Sequence, residues 1–371
     1  SMIDLIPSGS TWDEVVYLAK EIEFAGATLI NTGIGWHEAR IPTIATSVPR
    51  RAFSWVTKKL MGKLKIPIIT SNRINTAETA EAVLADGCAD MVSMARPFLA
   101  DPNFMAKVYS NKTKTIVPCI ACNQACLDHT FSMKLTSCLV NPSACNEKEF
   151  SYALVPKKPK RIAVVGSGPA GLAASITARN RGFDVSLFEI KDSIGGQLNL
   201  ASKIPGKEEF IGLLEYYSNE VSRLGIELRL NYAVKIGELE LFDEIIIATG
   251  VVPRDINFEV TDKSKLASYI DILNGSVVAG KNVAILGAGG IGFDVAQFLM
   301  SDKISTTLHL DKWLKEWGVV DPELARGGIR PEGPEQLLTD RNISMFQRKN
   351  EKIGRRLGKT TGWIHRESLR K

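Results

Sequence analysis

The chain has 371 residues, of which 44% are hydrophobic and 23% charged, and its formal net charge is +5. This composition is that of a globular protein of two or three domains, and the charge is too small to indicate a nucleic-acid partner. No apolar run approaches the roughly 18 residues of a membrane span, and the N-terminus shows no signal peptide. Because clustered cysteines in such a chain are typical of metal ligands rather than disulfides, we expect a cytoplasmic protein.

The first hundred residues alternate short strands with helices. We predict a helix over residues 11–24 that begins at Thr11, further helices over 52–64 and 77–86, and strands at 27–31, 66–70 and 90–94. This alternation indicates an α/β fold with a parallel sheet. The units are short and regular, as in a (β/α)8 barrel, and about three of the eight are present. Residues 1–110 are therefore predicted to be part of a barrel.

Polar side chains follow the predicted strands, where barrel enzymes carry their functional groups. Arg73 and Arg96 follow successive strands, and their planar donor groups can clamp a phosphate. Structural salt bridges are the alternative for both arginines. His37 follows an earlier strand and is a candidate acid or base, although a lone histidine is more often structural.

A cluster of cysteines follows in residues 111–155. Three cysteines have the spacing C-x2-C-x3-C, and a fourth follows after eleven further residues. Short, irregular spacing of four thiolates is typical of a [4Fe–4S] cluster, whereas structural zinc sites usually combine two separate C-x2-C pairs. The spacing favours the cluster, with zinc and free thiols as alternatives, and Cys88 and Cys145 are predicted to be structural. The predicted ligands are Cys119, Cys122, Cys126 and Cys138.

A proline- and lysine-rich linker, Pro156 to Lys160, precedes a pattern typical of dinucleotide-binding domains. The motif GSGPAG at 166–171 lies between a predicted strand, 161–165, and an apolar helix. Its glycines allow a tight turn and bring a pyrophosphate to the helix N-terminus, and an acid at the end of the next strand can bind a ribose diol. We predict a Rossmann-like domain over residues 156–275. Its predicted cofactor contacts are Gly166, Gly168, Ala170, Gly171 and Glu189.

A second unit, predicted over residues 276–371, carries the motif GAGGIG at 287–292. A glycine- and proline-rich insertion, roughly 313–335, delays the next predicted strand to 343–347. Asp311 has the spacing of a ribose ligand but irregular surroundings, whereas two cations end the later strand and fit the 2′-phosphate of NADPH. A surface basic patch is the alternative. The predicted contacts of this unit are Gly287, Gly289, Gly292, Arg348 and Lys349.

Four segments, NTGIGWHEARIPTIA, SNRIN, MVSMARPFLADP and CIACNQACLD–CLVNP, resemble bacterial NADPH-dependent 2,4-dienoyl-CoA reductases. These enzymes belong to the old-yellow-enzyme-related flavoproteins that carry a [4Fe–4S] cluster, as do trimethylamine dehydrogenase and the enoate reductases. The resemblance covers the whole chain. It implies an FMN-binding barrel, then the cluster loop, then incomplete FAD- and NADPH-binding domains.

The resemblance also implies roles for single residues. His37 matches a catalytic position. Acyl-CoA contacts fall on Glu38, Ala39, Arg40 and Ile41. FMN contacts fall on Arg73, Ala95 and Arg96, and the four clustered cysteines are the iron ligands. Flavin contacts in the second half of the chain fall on Gln197 and Trp363.

The implied reaction is the NADPH-dependent reduction of 2,4-dienoyl-CoA in the β-oxidation of unsaturated fatty acids. Electrons would pass from NADPH to FAD, to the [4Fe–4S] cluster, to FMN and then to the substrate. The alternatives are a related iron–sulfur flavoprotein of the enoate reductase or amine dehydrogenase type, and a non-catalytic fragment. The family's barrel, with the tyrosine that partners its histidine, begins upstream of this chain. We therefore expect an internal segment of a longer protein that is a monomer or small homo-oligomer.

Overall fold

The computed structural model describes residues 1–150, 158–254, 259–301, 304–335 and 339–370. Pro156 and Lys157 of the predicted linker lie outside the described residues, as does the predicted domain boundary between residues 155 and 156. Within the described ranges, no helix is both long and apolar enough to cross a membrane.

The N-terminal segment is built of short strand–helix units. Its elements are α1 (Trp12–Phe24), β1 (Ile30–Asn31), α2 (Ser54–Lys58), β2 (Ile68–Thr70), α3 (Ala77–Ala85), β3 (Met91–Val92), α4 (Arg96–Ala100) and α5 (Phe104–Tyr109). The strands pair in parallel in the order β1-β2-β3, with Ile30 opposite Ile68 and Thr70 opposite Val92. Parallel neighbours require the intervening helices as crossovers, so the carboxyl ends of all three strands meet at one edge.

Helix α1 begins as predicted, whereas the helix predicted over residues 52–64 is confined to α2. The Thr11 hydroxyl accepts the Glu14 N–H at 3.2 Å, and the Glu14 carboxylate accepts the Thr11 N–H at 2.8 Å, which is a capping box. Beyond α2 the chain makes tighter turns, in which the Leu60 N–H bonds the Thr57 carbonyl at 2.9 Å. Gly62 then adopts a φ of +76°, which ends the helical path.

The second sheet follows residue 158 and has four parallel strands. Its elements are β4 (Arg161–Val165), α6 (Pro169–Asn180), β5 (Asp184–Phe188), α7 (Leu198–Ala201), α8 (Glu209–Arg223), β6 (Glu227–Arg229), α9 (Ile236–Leu239), β7 (Glu244–Ile247) and α10 (Tyr269–Asn274). The strand order is β6-β5-β4-β7, so the loop after β4 lies centrally. Val164 and Leu187 are fully buried under Leu172 of α6, as expected for parallel strands covered by helices.

The third sheet has two parallel strands, β8 (Asn282–Leu286) and β9 (Asn342–Phe346), with Leu286 opposite Phe346. Helix α11 (Gly290–Met300) follows β8 at once. Helices α12 (Leu310–Trp317) and α13 (Gly362–Ser368) come from the segments on either side of β9. The predicted strand at 343–347 is therefore present, one residue earlier than expected.

The insertion before β9 is more ordered than its composition indicates, because α12 packs into the hydrophobic core of the N-terminal segment. Trp313 is fully buried and meets Phe53 edge-to-face, with ring centroids 5.9 Å apart. The Trp313 indole N–H donates to the Ser47 carbonyl at 2.9 Å. Lys59 forms an ion pair with Asp321 at 2.8 Å. Through these contacts the insertion connects the third sheet to the barrel-like segment.

Candidate functional site

Four cysteine side chains line one recess beside α4. The recess contains about 300 Å³ of empty space, part of which opens to solvent. The cysteines are brought together by a π-helical turn, Gln124–Asp128, and by the return of the chain toward α4. The four are the predicted ligands Cys119, Cys122, Cys126 and Cys138.

Hydrogen bonds from backbone N–H groups lower the pKa of three of these cysteine thiols. Ala121 and Asn123 have left-handed backbones, with φ of 51° and 61°, so the loop turns sharply between the cysteines. Hydrogen bonds to sulfur from the backbone are a feature that tunes thiolate-bound metal centres. The donors are the N–H of Ala121 to Cys119, of Gln124 to Cys122, and of Val140 and Asn141 to Cys138.

Burial in the recess disfavours the charged thiolate form of its cysteines. Burial raises the pKa of Cys119 and Cys138, and raises the pKa of Cys122 to about 12. The positive charge of the Arg96 guanidinium opposes the effect of burial at Cys119, because it lowers the pKa of that thiol. Arg96 is held at the recess by hydrogen bonds from Nη1 to Asn123 Oδ1 at 2.6 Å and from Nη2 to the Ile44 carbonyl at 2.7 Å.

The other two cysteines lie apart from the recess. Cys88 is buried in a small apolar cluster with Ile74 and Val83, in agreement with a structural role. Cys145 is exposed, so packing does not account for the predicted structural role of this cysteine. Among the described residues, no group of three or more His, Cys, Asp or Glu side chains is arranged to hold a single metal ion.

Arg73 lies at the carboxyl end of β2 and is buried, with only 3% of the residue exposed. Asn72 and Arg73 both have positive φ, 71° and 55°, and two successive strained residues are typical of a functional site. Arg73 Nη2 is paired with Glu209 Oε1 at 2.7 Å, and Nε donates to the Val48 carbonyl at 2.8 Å. Nη1 is buried without a partner among the described residues. The structure thus contains a salt bridge and, beside it, a donor available to a ligand.

The segment after β1 carries the predicted catalytic and substrate residues on the surface. His37 is exposed, and its ring meets that of Trp36 edge-to-face at 6.4 Å. The predicted substrate residues occupy the turn that follows, where Ile41 is buried and Arg40 is exposed. The Arg40 guanidinium lies 6.0 Å from the ring centroid of Trp363 on α13, within the range of a cation–π contact. The structure therefore brings the substrate segment and the predicted flavin-contact tryptophan together.

The cysteine loop is joined to the approach of α13 through Asp128. Its carboxylate accepts the N–H of Lys359 at 3.1 Å, the N–H of Thr360 at 2.7 Å and the Thr360 hydroxyl at 2.5 Å. A Cβ at Gly358 would lie 2.9 Å from Asp128 Oδ2, so a larger residue there would displace the Asp128 carboxylate. Asp128 is therefore the link between the cysteine recess and the helix that carries Trp363.

We expect Asp128→Ala to loosen this link, because two backbone donors and one hydroxyl lose their acceptor together. The local opening free energy of residues 358–364 should fall by about 0.5–1.5 kcal/mol, the net contribution of a typical hydrogen bond, because Lys359 is exposed and Thr360 is half-buried. Amide hydrogen exchange of this segment measures the change. Asp128→Asn, which keeps one acceptor oxygen, should show a smaller effect; unchanged exchange in both variants would contradict the proposed link.

The first glycine motif has the geometry of a tight dinucleotide turn. Gly166 has a φ of +102°, and a Cβ there would lie 2.4 Å from the Ala248 carbonyl oxygen. A Cβ at Gly171 would lie 1.8 Å from the Gly166 carbonyl oxygen. Gly168 is the N-cap of α6, and exposed Ala170 lies in its first turn. Gly166 and Gly171 are therefore required by close backbone approach, and the turn leaves the N-terminus of α6 open.

Glu189 and Gln197 flank this turn. Burial disfavours the Glu189 carboxylate, but hydrogen bonds from Ser167 and from the Lys191 N–H lower its pKa below the ordinary value. Glu189 Oε2 accepts the Ser167 N–H at 2.8 Å and its hydroxyl at 2.7 Å. Gln197 is exposed on the neighbouring loop, where Nε2 donates to the Val251 carbonyl at 3.3 Å. The predicted ribose and flavin contacts thus lie at one edge of the sheet.

The second glycine motif repeats this geometry after β8. Gly287 has a φ of +127°, and a Cβ at Gly292 would lie 1.9 Å from its carbonyl oxygen, while Gly289 is the N-cap of α11. The Gly287 N–H bonds the Phe346 carbonyl at 2.8 Å. The motif therefore lies beside the end of β9, and the exposed Arg348 and Lys349 follow that strand directly.

Three contributing residues were not found from the sequence. Asp128 and Glu209 are single acids whose partners lie 232 and 136 residues away, and no local spacing identifies such pairs. Trp313 could have been found, because apolar residues recur at helical spacing through α12. The glycine and proline content further along the insertion concealed this signal.

Comparison with known proteins gives two family matches within the chain. Residues 1–115 match the NADH:flavin oxidoreductase / NADH oxidase family, and residues 160–326 match the pyridine nucleotide-disulphide oxidoreductases. A metal reductase of Desulforamulus reducens is 35% identical over 370 residues, which are 97% of this chain and 53% of the relative. A cinnamate reductase of Clostridium sporogenes is 29% identical over 301 residues, 80% of this chain and 44% of the relative.

A solved structure of 2-naphthoyl-CoA reductase, in complex with 2-naphthoyl-CoA, superposes with a TM-score of 0.78 at 28% identity. The superposition covers 96% of this chain and 59% of that one. The chain spans about half the length of the two curated relatives. The expected α/β fold, a barrel-type segment followed by Rossmann-like units, is confirmed. These findings support an old-yellow-enzyme-like NADH:flavin oxidoreductase segment over residues 1–115, followed by a segment of the pyridine nucleotide-disulphide oxidoreductase type over residues 160–326.

Proposed function

We propose that this chain is the central part of a reductase that uses NADPH, FAD, a [4Fe–4S] cluster and FMN to reduce a conjugated acyl thioester, 2,4-dienoyl-CoA. The observation that carries the proposal is the cysteine recess, which lies at the junction of the two flavoprotein segments. Arg96, from the barrel-like segment, lines this recess together with the four cysteines. Bound there, a cluster supplies single-electron transfer between two flavins held in separate domains.

The residues present fit these groups. The four thiols share one recess. Their sequence spacing is typical of a [4Fe–4S] cluster, whereas structural zinc sites usually combine two separate C-x2-C pairs. For FMN, the unpartnered Nη1 of Arg73 is a buried donor that needs an acceptor. For the two dinucleotides, each glycine motif forms a tight turn directly before a helix N-terminus, where a pyrophosphate binds in this type of fold.

The substrate class is supported by two similar proteins. One is named as a cinnamate reductase and the other as a 2-naphthoyl-CoA reductase. Both names describe reduction of an unsaturated system conjugated with a carboxyl or thioester carbonyl. The preference for 2,4-dienoyl-CoA rests on the sequence motifs given above, with Glu38 to Ile41 contacting the acyl-CoA and His37 supplying a proton.

The proposal is tested by assaying the enzyme expressed from its complete coding sequence. NADPH consumption is followed anaerobically with a 2,4-dienoyl-CoA and with cinnamate as separate substrates, and oxidation of a secondary amine is followed without NADPH by the reduction of an artificial electron acceptor. We expect turnover with the dienoyl-CoA and the highest kcat/KM for it. Preference for cinnamate would favour an enoate reductase, and oxidation of the amine would favour a dehydrogenase. A visible spectrum without flavin or cluster bands would favour the non-catalytic alternative.

We expect NADPH selectivity to depend on Arg348 and Lys349. Each charge-assisted hydrogen bond to the 2′-phosphate contributes roughly 1.5–3 kcal/mol. Replacing both residues by serine should therefore raise the KM for NADPH at least about ten-fold, since 1.4 kcal/mol is a factor of ten. The KM for NADH should barely change, because NADH lacks that phosphate.

Steady-state kinetics with both cofactors measure this selectivity. Lys352→Ser is a matched control, since Lys352 is an exposed cation on the same segment. Equal losses for NADH and NADPH in the double variant would show that the pair supports the fold or the pyrophosphate instead.

A further inference from the structure

A buried ion triad joins the barrel-like segment to the first Rossmann-like unit. Glu209 is the first residue of α8, and its carboxylate accepts three hydrogen bonds from two arginines. Arg50 binds it in a bidentate manner, Nε to Oε1 at 3.0 Å and Nη2 to Oε2 at 2.7 Å. Arg73 Nη2 binds Oε1 at 2.7 Å. The acid therefore comes from the dinucleotide-binding unit, and both cations come from the barrel-like segment.

The two arginines differ in burial. The Arg73 side chain is 1% exposed, whereas that of Arg50 is 43% exposed. Arg50 also lines an open cavity of about 550 Å³ between the two segments. Burial alone would raise the pKa of Glu209, but the hydrogen bonds and charges of Arg50 and Arg73 lower it to about 2. Glu209 is therefore an ionised, buried group, and its removal would leave Arg73 as a buried cation without a counter-ion.

The triad also fixes the direction of Arg73. Nε is held by the Val48 carbonyl and Nη2 by Glu209. The guanidinium is planar, so these two contacts determine where Nη1 points. Nη1 is buried and is the guanidinium nitrogen without a partner among the described residues. A rigid backbone turn, with Asn72 and Arg73 both at positive φ, adds to this preorganisation.

We propose that Glu209 is a positioning residue for FMN: it reaches from the FAD-binding unit and holds Arg73 so that Nη1 donates to the flavin nucleotide bound by the barrel. This inference rests on the proposed function, and it adds that the FMN site is completed by the other flavin's domain. Docking of the two modules and binding of FMN are then coupled, because both use the same guanidinium.

The test compares Glu209→Gln with two matched variants in the complete enzyme. Glu209→Gln keeps the shape of the side chain and removes its charge. Arg50→Gln breaks the same triad on its exposed side and leaves the contact between Arg73 and Glu209. Asp321→Asn removes a different ion pair, with Lys59, that also joins the barrel-like segment to a later part of the chain. FMN and FAD are measured separately after dialysis and chromatography of the released flavins.

We expect Glu209→Gln to weaken FMN binding at least about ten-fold, the loss of one charge-assisted contact, while FAD content stays unchanged. Residual FMN should show a midpoint potential shifted to more positive values, since an uncompensated cation stabilises the reduced, anionic flavin. Arg50→Gln and Asp321→Asn should lower the melting temperature and leave FMN affinity within about two-fold.

Two results would overturn the inference. One is a folded Glu209→Gln enzyme with the FMN affinity and potential of the unmodified one. The other is an equal loss of FMN in all three variants, since this would show that any weakening of the junction releases the flavin. If the unmodified enzyme carried FAD but no FMN, the proposed function would be wrong, and so would this inference.

Discussion

Cys122→Ser abolishes assembly of the cluster and stops acyl-CoA reduction, whereas NADPH still reduces FAD: this is the result we expect from the complete enzyme. A serine hydroxyl is a far poorer ligand for iron than a thiolate, because its proton is harder to remove and its oxygen is a harder donor. Cys122 lies in the recess with the other three cysteines and receives the N–H of Gln124. Losing one sulfur therefore leaves an incomplete set in a buried loop.

The measurements separate the two halves of the reaction. Absorbance and electron paramagnetic resonance report the cluster, NADPH-dependent reduction of an artificial acceptor reports FAD, and dienoyl-CoA turnover reports the complete path. Cys145→Ser is the control, because Cys145 is an exposed cysteine outside the recess, and it should retain all three signals. Full acyl-CoA turnover by a cluster-free Cys122→Ser enzyme would show that the recess has no part in catalysis.

His37→Ala should slow acyl-CoA reduction by roughly 10²–10⁴-fold, the usual contribution of a positioned acid or base. His37 is exposed on the segment after β1, close to the turn that meets Trp363 through Arg40. Its side chain is therefore accessible to a substrate and is not needed for packing. The folded protein, its flavins and its cluster should be unaffected.

The comparison of two activities identifies the role of His37. NADPH oxidation with an artificial acceptor should be unchanged, because that activity needs only the second half of the chain. His309→Ala, which removes an exposed histidine directly before α12, is the matched control. If acceptor reduction and acyl-CoA reduction fall together in His37→Ala, the histidine has a structural role.

Local patterns predicted the parts of the fold that depend on local chemistry. Strand β4 has the predicted bounds, 161–165, because a buried apolar run and a glycine turn leave few alternatives. Helix α1 starts at the predicted N-cap for a similar reason, since Thr11 and Glu14 form a capping box within four residues. The convergence of the four cysteines was likewise predicted from their spacing.

Contacts between residues that lie far apart in the chain could not be predicted from the sequence. The predicted phosphate contact Arg73 also forms an ion pair with Glu209, 136 residues along the chain, and a guanidinium in a sequence does not reveal which acid will face it. Arg96 bonds Asn123 and the Ile44 carbonyl and lines the cysteine recess, which its position after β3 did not indicate. The role of the insertion was missed because its helix is stabilised by the barrel-like segment rather than by its neighbours in sequence.

The packing of α12 against the barrel-like segment has a consequence for synthesis on the ribosome. Trp313 donates to the Ser47 carbonyl across 266 residues, so the segment around Ser47 must wait for one that is synthesised much later. At about 5–20 residues per second, that interval is on the order of 10–50 s. During it, the apolar surface around Phe53 has no cover from Trp313. We therefore expect nascent chains that end before residue 310 to bind chaperones, and release to follow the emergence of α12.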